Sequence, residues 1–238
     1  MKVTSCSFIH YTNNINAVES ILKNGFNMYY CLEEIYSPGT VKHIGIPMVC
    51  FCDIPLTFVK SNNYGHFALG MTRTWGIEQH LLPVSYYPNN KRCLSTIVVK
   101  KASEAFLTNR AKTDDYEILG YSKPMYKIQK TASKKKNNYE EREWRKIYSP
   151  RSLQWKTEEE YSAYRGSKNS SKDSIGAPLT FKVRDIDFIL VPDSDVPSII
   201  KCIKRLSCFG GNNQQIDNKS KDLLLAKIIS FNTLAKNI

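Results

Sequence analysis

Between Ser5 and Gly25 the chain spells out one complete strand-to-helix unit. Ser5 to Tyr11 carries Phe8 and Ile9 in a strand-like run. Thr12, Asn13 and Asn14 then supply turn and N-cap chemistry, because a short polar side chain accepts from the unpaired amides at a helix start. Ile15, Val18, Ile21 and Leu22 recur at helical spacing, and Asn24-Gly25 offers a C-cap. A chain that begins this way needs further strands to cover the first one, and the remaining sequence offers many short candidates.

Phe26 to Tyr36 is aromatic and acidic and is expected to wrap the core. Pro47 to Cys52 reads as a short buried strand ended by Asp53-Ile54-Pro55. Tyr64 to Met71 alternates small and apolar residues, as in a strand that another group approaches closely. Thr72 to Gln79 reads as a helix and Pro83 to Tyr87 as a strand. Leu94 to Leu107 reads as a helix with Ile97, Val98 and Ala102 inward. Ile118 to Ile128 is apolar and aromatic, and a lysine-rich loop follows it. Residues 139–148 form an acidic strand, Leu179 to Val183 and Ile186 to Val191 two more, Val196 to Leu206 a helix and Leu223 to Leu234 a last amphipathic helix. Short strands with inserted helices, without regular βαβ repeats, predict the α+β class. The expected organisation is one domain over 1–206, with a polar surface excursion at 151–177, and a C-terminal helical appendage over 207–238.

With 238 residues, 42% of them hydrophobic, the chain can bury a sizeable core. It has no apolar run long enough to span a bilayer and no h-region of a secretory signal, which predicts a cytoplasmic protein without membrane partners. Its seven cysteines are scattered, and no Cys/His pairs stand at zinc-finger spacing, so reduced thiols and no metal are expected. No G-x-G-x-x-G or P-loop occurs. The net charge of +12 favours a polyanionic substrate or partner.

Chemistry concentrates in Tyr139-Glu140-Glu141-Arg142-Glu143-Trp144-Arg145. In a strand, Glu141 and Glu143 share one face and Arg142 and Trp144 the other. Adjacent carboxylates repel, so the pair must be offset, by cations in a salt-bridged edge strand or by a ligand that develops positive charge. His10 ends the first strand, a junction where binding residues concentrate, although a lone histidine is more commonly structural. Cys50 and Cys52 sit in an apolar run and read as core. Asp53 is expected to be exposed, capping a turn or orienting a ligand. Tyr64 and Gly65 offer a wall and a close-approach point for a flat ring, and Gly65 equally serves a turn.

Taken in order, Phe8-Ile9-His10-Tyr11-Thr12, Met48 to Leu56, Tyr64 to Met71, Leu82-Pro83-Val84 and Glu141 to Arg145 resemble the AbiGi-type abortive-infection proteins of bacterial phage defence. The opening unit is also similar to DarT-like ADP-ribosyltransferase toxins. The resemblance implies a bent, split β core, ADP-ribosyltransferase-like, that grips NAD as substrate. It implies that His10 binds ribose with Tyr11 and Thr12 beside it, that Tyr64 stacks on nicotinamide with Phe51 a lesser candidate, and that Arg73 or Arg145 meets the pyrophosphate. Glu143 is the favoured catalytic carboxylate and Glu141 the alternative, because strand register decides between them. No Ser-Thr-Ser motif follows the middle strand, which leaves the subclass and target residue open.

The implied activity is a phage-defence toxin that transfers ADP-ribose from NAD to RNA or DNA. Lys127, Lys130, Lys134, Lys135 and Lys136 would form a basic rim for that strand. A cognate antitoxin, with a chaperone beside it, is the implied protein partner. The alternative on the same fold is a non-catalytic antitoxin or binding module. A nuclease fits poorly, because no paired Asp/Glu cluster with His is present.

Overall fold

The computed structural model describes residues 6–36, 42–56, 65–88, 90, 92–127, 136–148, 155–166, 174–212 and 215–236. Its strands are β1 (Ser7–Thr12), β2 (Tyr29–Ile35), β3 (Lys42–Cys52), β4 (Phe67–Thr72), β5 (Leu82–Pro83), β6 (Ser85–Tyr87), β7 (Ser122–Pro124), β8 (Tyr126–Lys127), β9 (Lys136–Asn137), β10 (Glu143–Ile147), β11 (Lys156–Thr157), β12 (Ile186–Val191) and β13 (Ile228–Ser230). Its helices are α1 (Ile15–Asn24), α2 (Arg73–Glu78), α3 (Leu94–Leu107), α4 (Thr113–Gly120), α5 (Glu158–Gly166), α6 (Val196–Arg205), α7 (Asn218–Leu225) and α8 (Phe231–Lys236). The fold is mixed α+β and its strand pairs are mostly antiparallel. Among the described residues no helix is long and apolar enough to cross a membrane.

The chain divides into two units. The first takes residues 1–27, 50–81 and 177–238. In it β1 pairs antiparallel with β4 along its whole length, from Ser7 opposite Thr72 to Thr12 opposite Phe67. β4 pairs antiparallel with β12, and β12 pairs in parallel with β13. The opening unit forms as its residues dictate. The Asn14 side chain accepts from the Ala17 amide at 3.0 Å, Val18 and Leu22 are buried, and Gly25 takes a φ of 77° at the helix stop. Phe26, Phe51, Trp75 and Phe181 pack as an aromatic cluster with ring centroids 5.1–6.5 Å apart. The close approach expected along Tyr64 to Met71 falls at Gly70, which lies against the Phe188 ring. Gly65 is a turn residue with a φ of 90°, set against the Thr12 carbonyl.

The second unit takes residues 28–49 and 82–176. β2 runs antiparallel to β3 from Tyr29 opposite Met48 to Ile35 opposite Lys42, and β11 also pairs with β3, at Ile44 and Gly45. β5 pairs with β10, and β6 runs parallel to β7. Ile44, Ile46 and Met48 are buried along β3, and α3 buries Val99, Ala102 and Phe106. α5 buries none of its residues.

Four local expectations are corrected. β3 is longer than Pro47 to Cys52, because Pro47 sits inside it and its carbonyl accepts from the Tyr148 amide at 2.9 Å. Leu179 to Val183 is not a strand: its amides donate to the carbonyls of Phe26 and Gly210, leaving a single bridge and then a 3-10 turn at Val183–Asp185. Ile97 and Val98 face solvent on α3, and Thr96 points inward instead, donating to the Pro88 carbonyl. Leu223 to Leu234 divides into the end of α7, the strand β13 and the start of α8.

Candidate functional site

The acidic run of the second unit does not form one strand. Asn138–Glu141 is a 3-10 turn, Arg142 is left-handed at φ 42° and ψ 53°, and β10 begins at Glu143. This kink, rather than strand alternation, brings the flanking carboxylates onto one cation. The Lys123 ammonium of β7 donates to Glu141 at 2.9 Å and to Glu143 at 2.8 Å. Glu143 is also gripped by Arg145, whose Nε and Nη2 donate at 2.6 and 3.0 Å. The same guanidinium reaches Glu33 of β2 at 2.8 Å and the Gly120 carbonyl at 3.1 Å.

The five side chains form one buried network of three carboxylates and two cations. Arg145 is fully buried, and Glu141 and Glu143 are nearly so. Burial alone lowers the pKa of Lys123, but the carboxylates of Glu33, Glu143 and Glu141 outweigh it and hold the ammonium above the ordinary lysine range. The Glu143 amide donates to the Tyr86 hydroxyl at 2.9 Å, and burial pushes that phenol up to about 12. Charges placed this way are mutually satisfied, and each removal strands the rest.

Of the predicted NAD-binding residues, His10, Tyr11, Thr12, Phe51 and Arg73 lie in the first unit. The His10 Nδ1–H donates to the Cys50 carbonyl at 2.8 Å, which fixes the ring nitrogen that carries the proton. Its ring packs against Phe26 and Phe51 at centroid distances of 5.2 and 5.5 Å. Burial holds this imidazole below the usual histidine range, partly opposed by the Cys50 bond. Phe51 is 1% exposed inside the aromatic cluster. Tyr11 packs against Ile9, Ala68, Phe188 and Leu190, and Thr12 closes β1 opposite Phe67. Arg73 donates to Asp53 at 2.9 Å and lies 4.6 Å over the Phe8 ring. Asp53 is therefore a buried ion-pair partner, a correction to its expected exposure.

Tyr64, Lys130, Lys134 and Lys135 lie outside the described residues, as do the side chains of Lys127 and Lys136, whose backbones pair in β8 and β9. All seven cysteines are free thiols. Among the described residues no group of three or more His, Cys, Asp and Glu stands together as a metal site.

Sequence reasoning missed Lys123 and Glu33. The signal for Lys123 was present: a lysine flanked by the apolar and aromatic residues from Ile118 to Tyr126 must find a carboxylate or stay at the surface.

The family model described as "Putative abortive phage resistance protein AbiGi, antitoxin" matches residues 24–192. The chain belongs to the AbiGi family. A relative named "Abortive phage resistance protein AbiGi", from Lactococcus lactis subsp. cremoris, is 28% identical over 228 residues, covering 81% of this chain and 88% of its own. No solved structure matches. The matched segment contains the whole Glu33–Lys123–Glu141–Glu143–Arg145 network, and the family places the chain in abortive-infection defence against phage.

Proposed function

We propose that this protein acts as the antitoxin of an abortive-infection system, a non-catalytic module that binds and restrains a partner toxin. The observation that carries this reading is the occupation of both candidate catalytic carboxylates. Glu141 and Glu143 are spent on Lys123, and Glu143 is spent again on Arg145. A carboxylate that stabilises an oxocarbenium-like ribose must direct its charge at the reacting carbon. One already neutralised by a buried ammonium and a guanidinium has little field left to offer. The family's description as an antitoxin supports the same assignment.

The competing reading is the NAD-dependent ADP-ribosyltransferase on a bent, split β core, with RNA or DNA as acceptor. One pair of experiments separates the two. Expressed alone, the antitoxin leaves growth unchanged, and it rescues cells that express the toxin of the same defence system. Purified protein incubated with labelled NAD and RNA, DNA or cell extract transfers no label. Growth arrest by the protein alone, together with label transfer that Glu143→Gln abolishes, overturns the antitoxin reading and establishes the transferase.

A further inference from the structure

Helices α1 and α6 of the first unit each carry two opposed stripes. On α1, Val18 and Leu22 are buried, while Asn16, Ser20 and Lys23 recur at helical spacing on the outer side. On α6, Ile199 and Ile203 are buried, while Ser198, Lys201 and Arg205 form the outer stripe. Residues three and four apart share a helix face, so each stripe is continuous. The two stripes line one cleft of about 610 Å³.

Three of the lining residues are cations, Lys23, Lys201 and Arg205, and one is an anion, Glu19. Glu19 is engaged by the Cys202 thiol, which burial and this carboxylate push up to about 11. The hydroxyl and amide groups of Asn16, Ser20, Asn24, Ser198 and Ser207 complete the polar part of the wall. Leu206 is the one aliphatic side chain on the lining, and it is 7% exposed.

We infer that this cleft binds the phosphate backbone of a nucleic acid. Cations interspersed with Ser and Asn donors are the groups that contact phosphates. A peptide partner would need an exposed apolar anchor at the centre of its site, and the cleft presents none. No aromatic lines it, so bases have nothing to stack on, and binding is sequence-independent and tolerates a duplex. The net charge of +12 adds long-range attraction for the same polyanion. This binding is separate from the restraint of a toxin and stands or falls without it.

The test is fluorescence anisotropy with labelled duplex DNA and duplex RNA over a series of salt concentrations. Three phosphate contacts predict a log–log salt slope of about −3. Lys201→Glu/Arg205→Glu, at two exposed positions, weakens binding about tenfold or more and flattens the slope by about 2. A charge-matched control on α3, Lys100→Glu/Lys101→Glu, changes binding far less. Thermal melting confirms that the variants fold, and Lys201→Gln/Arg205→Gln replaces the first variant if it does not. Binding unchanged in the cleft variants, or weakened equally in the control, overturns the assignment. So does a polyglutamate chain that competes as well as nucleic acid, which would reassign the cleft to an acidic protein segment.

Discussion

The Lys123 ammonium lies 2.8 Å from a carboxylate oxygen of Glu143, across twenty residues of sequence, and bonds Glu141 at the same time. Lys123→Met removes one of two cations from a buried group of three carboxylates. The expected loss is about 3–5 kcal/mol in chemical denaturation. Because the folded ammonium is held above the ordinary lysine pKa of 10.5, its contribution is fully present below that value and is lost only as pH rises beyond it. The difference between Lys123→Met and the unmodified protein should therefore be constant between about pH 7 and pH 9.

Arg142 holds the left-handed conformation that lets its neighbours share Lys123. A β-branched residue tolerates positive φ poorly, whereas glycine adopts it without a steric penalty. Arg142→Val should be less stable than Arg142→Gly by about 1–2 kcal/mol in equilibrium unfolding. Equal stability of the two variants would remove the kink as the feature that organises the pair.

His10 gives the molecule an acid-sensitive point. Its folded pKa lies below the ordinary value of 6.5, so the unfolded chain takes up the proton first. Stability is complete above about pH 6.5 and falls as pH drops through the interval down to the folded value. His10→Asn, which keeps a donor for the Cys50 carbonyl, should flatten the stability–pH profile in that interval. A profile with the same slope in the variant would assign the acid sensitivity to other groups.

Gly70 has no room for a side chain, because a Cβ there meets the Phe188 ring of β12. Gly70→Ala should cost about 1–3 kcal/mol, the usual range for overpacking a filled core. Pairing it with Phe188→Leu should recover part of the loss, read by thermal melting of the single and double variants.

Legibility in the sequence followed the range of the interactions. β1, the Asn14 cap, α1 and Gly25 are set by neighbours a few residues apart, and the pattern revealed them. α3 spans Leu94–Leu107 as its composition predicts, and Ala102 is buried as expected, but Ile97 and Val98 are not. Thr96 goes inside because the Pro88 carbonyl satisfies its hydroxyl, and this displaces Ile97 and Val98 to the surface.

The acidic run shows the same limit at the candidate site. Two carboxylates two residues apart signalled a need for offsetting charge, but the single strand expected to hold them on one face is a 3-10 turn, a left-handed Arg142 and then β10. The partners were not readable, because Lys123 and Glu33 reach the network from other strands and a long-range ion pair leaves no local pattern. The end of α7, β13 and the start of α8 were read as one helix, since Ile228 and Ile229 fit either period until β12 offers them a parallel partner.

Because the first unit joins residues 1–27 and 50–81 to residues 177–238, it cannot be finished while the ribosome is still at work on the segment between them. α1 ends at Asn24 and α6 begins only at Val196. At translation speeds of roughly 5–20 residues/s that gap lasts on the order of 10–30 s. Assembly of the first unit is therefore paced by synthesis of the segment from residue 177 onward.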